Sequence, residues 1–287
     1  MKLNHSIGSI AFLFVAPLVT GLSIGIAPSC AAIIAGSAAE VAIYNFSNRP
    51  INTATSAKTY TQTIADQGVV ISQANAEAIF ISNYPQLLAQ NLSDSTVKSD
   101  GIKYSGLAQS QASILGDFNL DAKETFSFSF QTVLNLVTSV DNPQSERAIA
   151  RGNISFSLID TVSNILLDSF GITQSLYSFQ RGDLNLSYSD GFNPTTINFG
   201  FLSEGNTKQS ALYTSGVYSR TFDSATNLRL VEVKNNIAEA EAVPEPSTIL
   251  GTTIFLGWLT RRKKLKINCF KLSKSTSNNR IPRTPTS

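Results

Sequence analysis

Between residues 104 and 234 apolar and polar positions alternate with a period of two. Phe126, Phe128 and Phe130 are separated by Ser127 and Ser129, and the same rule holds for Ile154, Phe156 and Leu158, for Leu184, Leu186 and Tyr188, and for Ile197, Phe199 and Phe201. Successive side chains of a strand point to opposite faces, so this pattern predicts strands with one dry and one wet side. Turn formers punctuate the runs at Asp121-Ala122-Lys123-Glu124, Asp141-Asn142-Pro143, Arg151-Gly152-Asn153, Arg181-Gly182-Asp183, Asp190-Gly191-Phe192-Asn193-Pro194 and Glu204-Gly205-Asn206. The last strands are expected over residues 212–222 and 228–234. About eight strands buried on one side, with no helical partner, predict an all-β ectodomain: an antiparallel, jelly-roll-like β-sandwich of two sheets packed face to face.

The pattern is weaker before residue 100. Val41, Ile43 and Tyr44-Asn45-Phe46 suggest a first strand, and residues 74–92 read as a short helix that Pro85 bends or stops. Residues 52–63, rich in Ser, Thr, Asn and Ala, read as a solvated loop or an exposed strand edge, and residues 235–242 as a linker. The ectodomain is thus expected over residues 40–234.

Both ends carry addresses. Lys2 and His5 precede an apolar stretch over residues 7–27, followed by small residues, which predicts a signal peptide over residues 1–39 that signal peptidase removes. Ser37-x-Ala39 places the cut before Glu40, with a cut near Cys30-Ala31-Ala32 as the alternative. Ala27-Pro28-Ser29-Cys30 lacks the aliphatic residue that a lipoprotein signal needs.

At the other end, Val243-Pro244-Glu245-Pro246-Ser247 is an extended, stiff segment. Its prolines fix their own φ and push Val243 and Glu245 out of the helical region. Ser247 can cap a helix over the uncharged run 248–259, which at helical rise spans about 18 Å against roughly 30 Å of hydrocarbon. The cations Arg261, Arg262, Lys263, Lys264 and Lys266 follow and would hold this short transmembrane helix with its basic tail, residues 267–287, on the cytoplasmic side.

Motif, apolar segment and basic cluster together, over residues 243–266, resemble the PEP-CTERM sorting signal of exported bacterial proteins. The resemblance implies an exosortase, a membrane-embedded cysteine transpeptidase-like enzyme, as the partner that cuts at or near the motif. Compared with that family, the apolar segment is short and the 21-residue tail is additional. Residues 114–170 also resemble a recurrent cyanobacterial cargo type of such proteins. The likeness rests on Glu124-Thr125-Phe126-Ser127-Phe128, Ser139-Val140-Asp141-Asn142-Pro143, Gly152-Asn153-Ile154-Ser155-Phe156 and Leu167-Asp168-Ser169-Phe170, and it implies no activity.

With the ends assigned, the charge changes sign. The whole chain is +2, but residues 40–260 hold 12 cations against 20 acids, a net of −8. An acidic surface repels phosphate backbones, so nucleic acid is not an expected partner. His5, Cys30 and Cys269 all fall outside residues 40–260, which excludes disulfides, thiolate or imidazole metal sites and Ser-His-Asp or Cys-His catalysis from that part. No cofactor is expected.

Short motifs add little. Asp117-Phe118-Asn119-Leu120-Asp121 begins like a calcium loop, yet Ala122 replaces the required Gly and Phe128 the bidentate Glu, leaving only a looser cation site at Asp117, Asp121 or Asp141 as a weaker reading; no metal is expected. Ser95-Thr96-Val97-Lys98 and Arg181-Gly182-Asp183 read as a chance match and a hairpin turn. The expectation is therefore an exported, non-enzymatic envelope or matrix component, adhesive or binding exopolysaccharide through Tyr177, Tyr188, Tyr213 and Tyr218. The alternative is a carboxylate-dependent polysaccharide hydrolase, which two acids about 5–10 Å apart in one cleft would favour.

Overall fold

A computed structural model describes residues 33–82, 87–180 and 182–242. The described chain is all-β, with ten strands: β1 (Ile33–Tyr44), β2 (Asn52–Ile81), β3 (Leu88–Leu120), β4 (Thr125–Ser139), β5 (Glu146–Asp160), β6 (Ile165–Tyr177), β7 (Asp183–Tyr188), β8 (Phe192–Glu204), β9 (Thr207–Thr221) and β10 (Thr226–Ala242). All pairings are antiparallel. They join the strands into one sheet in the order β7-β6-β5-β10-β3-β1-β4-β9-β8, with β2 also on β3. The expected two sheets are therefore a single sheet, nearly closed as a barrel.

The closure starts in β3. Its first part pairs with β1 (Ile33↔Ser99 to Tyr44↔Leu88) and its second with β10 (Thr226↔Leu120 to Glu241↔Ser105), while β2 follows both. The Ser95 and Ser110 hydroxyls are 2.9 Å apart. In a straight strand they would be separated by about 50 Å, so the hairpin is folded back on itself. The fold falls at Gly68 and Gly101, where the β2–β3 register shifts. Gly101 has φ 127°, and a Cβ there would stand 2.4 Å from the Gln67 carbonyl oxygen, which only glycine tolerates.

The interior is layered. Phe118, Phe126, Phe128, Phe130, Phe156, Phe170, Phe192 and Tyr218 form an aromatic floor. Its rings approach to 4.6 Å between centroids at Phe118–Phe126. A smaller cluster at the opposite end is built from Ile33, Ala35, Val97, Ala108, Ala148, Ala238 and Ala240. Between them lies a buried polar layer that includes Ser37, Asn91, Ser93, Glu232, Lys234 and Asn236.

Four local expectations change. Arg151-Gly152-Asn153, expected as a turn, lies in the middle of β5, paired to β10 on one side and β6 on the other. Of residues 74–92, expected as a helix, 74–81 are the end of β2 and 88–92 the start of β3, and the alternate residues Ala74, Ala78 and Phe80 pack inward as a strand requires. Residues 235–242, expected as a linker, are the last rungs of β10, paired to both β3 and β5, with Ala238 and Ala240 buried. β1 begins at Ile33, ahead of the expected boundary at 39/40, and Ile33, Ala35, Ala38 and Ala39 are buried in the body. Residues 52–63 are indeed an exposed strand edge, and the aromatic runs of β4 and β5 face inward as expected.

Candidate functional site

The sorting motif Val243, Pro244, Glu245, Pro246 and Ser247, the basic cluster Arg261, Arg262, Lys263, Lys264 and Lys266, the apolar helix between them and residues 1–32 lie outside the described residues. The candidate sites available are those of the β-body.

Its two unpaired flanks meet through side chains. Lys208 of β9 donates to the carbonyls of Tyr177 (2.9 Å) and Gln180 (2.8 Å) beyond the end of β6. At the other end Arg220 of β9 donates to the Leu167 carbonyl (2.9 Å) and to Asp168 of β6 (2.6 Å), and the Tyr218 hydroxyl donates to the same carboxylate oxygen at 2.8 Å. Burial pushes Asp168 up, but hydrogen bonds from Arg220, Ser189 and Tyr218 outweigh it and hold the carboxyl below its ordinary range. Burial raises Tyr218, and the bond to Asp168 raises it further. A cavity of about 510 Å³ opens over this constellation, lined by Asp168, Ser189, Asp190, Gly191, Ser219 and Arg220. Chemically the arrangement is a clamp: an ionised carboxylate with a committed guanidinium and phenol, poorly placed to exchange a proton with a substrate.

A second concavity lies on the outer face of β4, β9 and β8. Register puts Val133, Tyr213 and Asn198 in one row and Asn135, Ala211 and Gly200 in the next. The small side chains of Ala211 and Gly200 leave a depression of about 520 Å³ beside the half-buried Tyr213 ring, with the amides of Asn135 and Asn198 at its margin. A flat ring beside amide donors and acceptors is suited to a sugar face and its hydroxyls. At the free edge, Ile197, Phe199 and Phe201 lie opposite Thr214, Leu212 and Ser210, on the same side as the core. They remain about half exposed, at 47–50%, because among the described residues no strand pairs with β8 beyond them. The alternation was read correctly there, and the missing partner decides the burial.

Of the tyrosines singled out, Tyr188 is exposed, Tyr177 and Tyr213 are half-buried, and Tyr218 is buried in the aromatic floor, a correction imposed by its bond to Asp168. Tyr177 lies under Arg151, its ring centroid 5.8 Å from the guanidinium. Asp117 is engaged by Arg229 (2.7 and 3.1 Å) and Asn52, which withdraws it from any cation site. Among the described residues no three His, Cys, Asp or Glu side chains gather as metal ligands. Asn135, Asn198, Asp168 and Arg220 were not singled out from the sequence. Asp168 had a usable signal, an acid at the inward parity two residues before Phe170 in a strand; the two asparagines had none. Compared with protein-family models the chain matches none, and no curated protein is significantly similar to it.

Proposed function

We propose that this is an exported cell-envelope or extracellular-matrix protein, cut by an exosortase at Val243–Ser247, whose ectodomain is a non-catalytic module that binds extracellular polysaccharide. In this reading a signal peptide directs export, the short transmembrane helix holds the chain transiently, and the nearly closed sheet is a flattened jelly-roll-like sandwich displayed outside. The observation that carries it is the sequence of motif, uncharged run and basic cluster over residues 243–266, which begins at the residue after β10 ends at Ala242. The motif thus follows the folded body directly in sequence. Burial of residues 33, 35, 38 and 39 favours the earlier signal-peptidase cut, near Cys30-Ala31-Ala32, over the one before Glu40. The Tyr213 depression supports glycan binding. The alternative of a polysaccharide hydrolase needs two free acids in one cleft. Asp168 is the buried acid of its cavity, and it is already bound by Arg220 and Tyr218.

Intact-mass analysis of the protein recovered from envelope and medium tests the sorting. The expected species ends near Pro244-Glu245-Pro246, and Glu245→Ala accumulates unprocessed. A mature species that retains residues 261–287, or normal processing of Glu245→Ala, overturns it. For the ectodomain, Tyr213→Ala should weaken retention on the producer's own exopolysaccharide by about tenfold, the scale of one stacked aromatic. Unchanged retention overturns the assignment of that face.

A further inference from the structure

The buried polar layer contains three groups whose arrangement is chemical rather than merely structural, and they stand independently of the reading above. On β10, Leu228 and Leu230 point inward, and the same parity continues with Glu232, Lys234 and Asn236 before returning to Ala238 and Ala240. All three polar residues are fully buried. They face the inner positions of β3 and β1. Glu232 accepts a short hydrogen bond from the Asn91 amide, and the Asn236 amide donates to the Ser93 carbonyl and hydroxyl while its oxygen accepts from Ser37. Lys234, between them, donates once, to the Ala39 carbonyl at 3.1 Å.

Asn236 is saturated with partners; the other three groups are not. Among the described residues the Asn91 carbonyl oxygen and the second Glu232 oxygen are buried with no partner. Lys234 forms none of the ion pairs found there. A buried ammonium has three protons to place, and a single carbonyl is a poor home for it. Burial lowers Lys234 to about 7 and raises Glu232 to about 7, the direction of a neutral amine beside a neutral acid. Glu40, which also acts on Lys234, faces outward and is bound by Gln90. Ala39 pairs with Ser93 and Val41 with Asn91, so Ala39 and Asn91 are diagonal neighbours, roughly 7 Å apart across the ladder. Lys234, anchored at the Ala39 carbonyl, therefore sits one ladder diagonal from Asn91.

We propose that Lys234 and Asn91 are joined by an intramolecular isopeptide bond that the folded chain forms on itself, with Glu232 as the proton-transferring acid. The Lys234 Nζ lone pair attacks the Asn91 amide carbon while Glu232, hydrogen-bonded to that carboxamide, protonates it. The tetrahedral intermediate loses the Asn91 nitrogen, which leaves as ammonia carrying one proton that came from Nζ by way of Glu232. One C–N bond forms, one breaks, no electrons are exchanged, and Glu232 ends as it began. The product is a secondary amide, which no longer requires a buried charge at Lys234. Its carbonyl gives the Glu232 proton an acceptor, so the unpartnered groups are resolved in one step. The bond ties the first part of β3 to the last strand in a region of sequence, residues 31–268, that holds no cysteine.

Peptide mapping of the purified, folded full chain tests this. After trypsin the peptide running from Thr59 to Lys98 should be joined to the one beginning at Leu230, uncut at Lys234 and lighter by one ammonia than the two together. Glu232→Gln keeps the shape and a hydrogen-bonding group, so it should fold, yet link at least about 100-fold more slowly, the scale of a lost general acid. Free Thr59–Lys98 peptide and cleavage after Lys234 in the parent overturn the bond. Linking of Glu232→Gln at the parental rate overturns the role given to the acid.

Discussion

Removing Asp168 should cost more than the loss of one surface ion pair, and the cost should depend on Tyr218. The carboxylate is 7% exposed, and it accepts the Tyr218 hydroxyl at 2.8 Å and Arg220 at 2.6 Å. In Asp168→Ala the fully buried hydroxyl is left without an acceptor, a penalty of about 1–3 kcal/mol. Arg220 adds little, because its side chain is 39% exposed and water replaces its partner. The expected total is about 2–3 kcal/mol. Tyr218→Phe removes one donor from a carboxylate that keeps Arg220, and should cost about 1–2 kcal/mol. In the double variant the orphaned hydroxyl no longer exists, so its cost should fall below that of Asp168→Ala alone, to about that of Tyr218→Phe, giving a coupling of about 2–3 kcal/mol. Urea denaturation followed by far-ultraviolet circular dichroism measures all four corners of the cycle. If the single costs add to within about 0.5 kcal/mol, or Asp168→Ala costs less than about 1 kcal/mol, the β6–β9 clamp does not hold the flanks as described.

Acid should weaken the same clamp and, across β3 and β10, the Asp117–Arg229 pair: Asp168 and Asp117 are both held below the ordinary carboxylate range, Asp168 by bonds that overcome its burial and Asp117 first by its bond to Arg229. A depressed folded pKa stabilises above the unfolded value, near 3.9, and that contribution is lost as pH falls through the folded one, so the urea midpoint should drop below about pH 4 and drop less in Asp168→Asn. Gly216→Ala should loosen the free edge, since a Cβ there meets the Asn193 carbonyl oxygen at 2.5 Å and Pro194 Cα at 2.8 Å, backbone atoms that yield only if β8 moves off β9. A loss of about 1–3 kcal/mol in the same urea assay is expected, and an unchanged midpoint would show that β8 is not packed this closely.

How much of this could be read from the chain follows from where side chains meet their partners. β4 and β5 were legible because their alternating runs, Phe126, Phe128 and Phe130 and then Ile154, Phe156 and Leu158, are all core positions. β8 was legible as a strand but not as an edge, since exposure of Phe199 and Phe201 depends on which strand is missing beside them. β10 was partly misread because its pattern is inverted in the middle: Val231 and Val233 are half-exposed while Glu232 and Lys234 are buried. Only the flanking Leu228, Leu230, Ala238 and Ala240 fix the parity, and the alanines carry too little hydrophobicity to announce it. The start of β3 failed for a related reason, as Asn91, Ser93 and Ser95 face inward against polar partners some 140 residues away. Nothing local in residues 74–92 signals such partners, and alanine-rich polar sequence favours a helix on propensity alone.

The position of β10 also governs the order of assembly. Among the described residues it is the last strand in sequence, yet it sits between β3 and β5, and no other ladder there connects β5, β6 and β7 to the rest of the sheet. Until residues 226–242 have emerged, one side of the barrel therefore has nothing to pair with, and the free edges of β5 and β3 are open to other chains. Folding dominated by pairings this distant in sequence is slow and occurs late. A chain delivered from one end to the other must wait for its final strand before any closed body exists. During that wait residues 40–225, with 16 acids against 10 cations, a net of −6, supply the repulsion that keeps unfinished molecules apart.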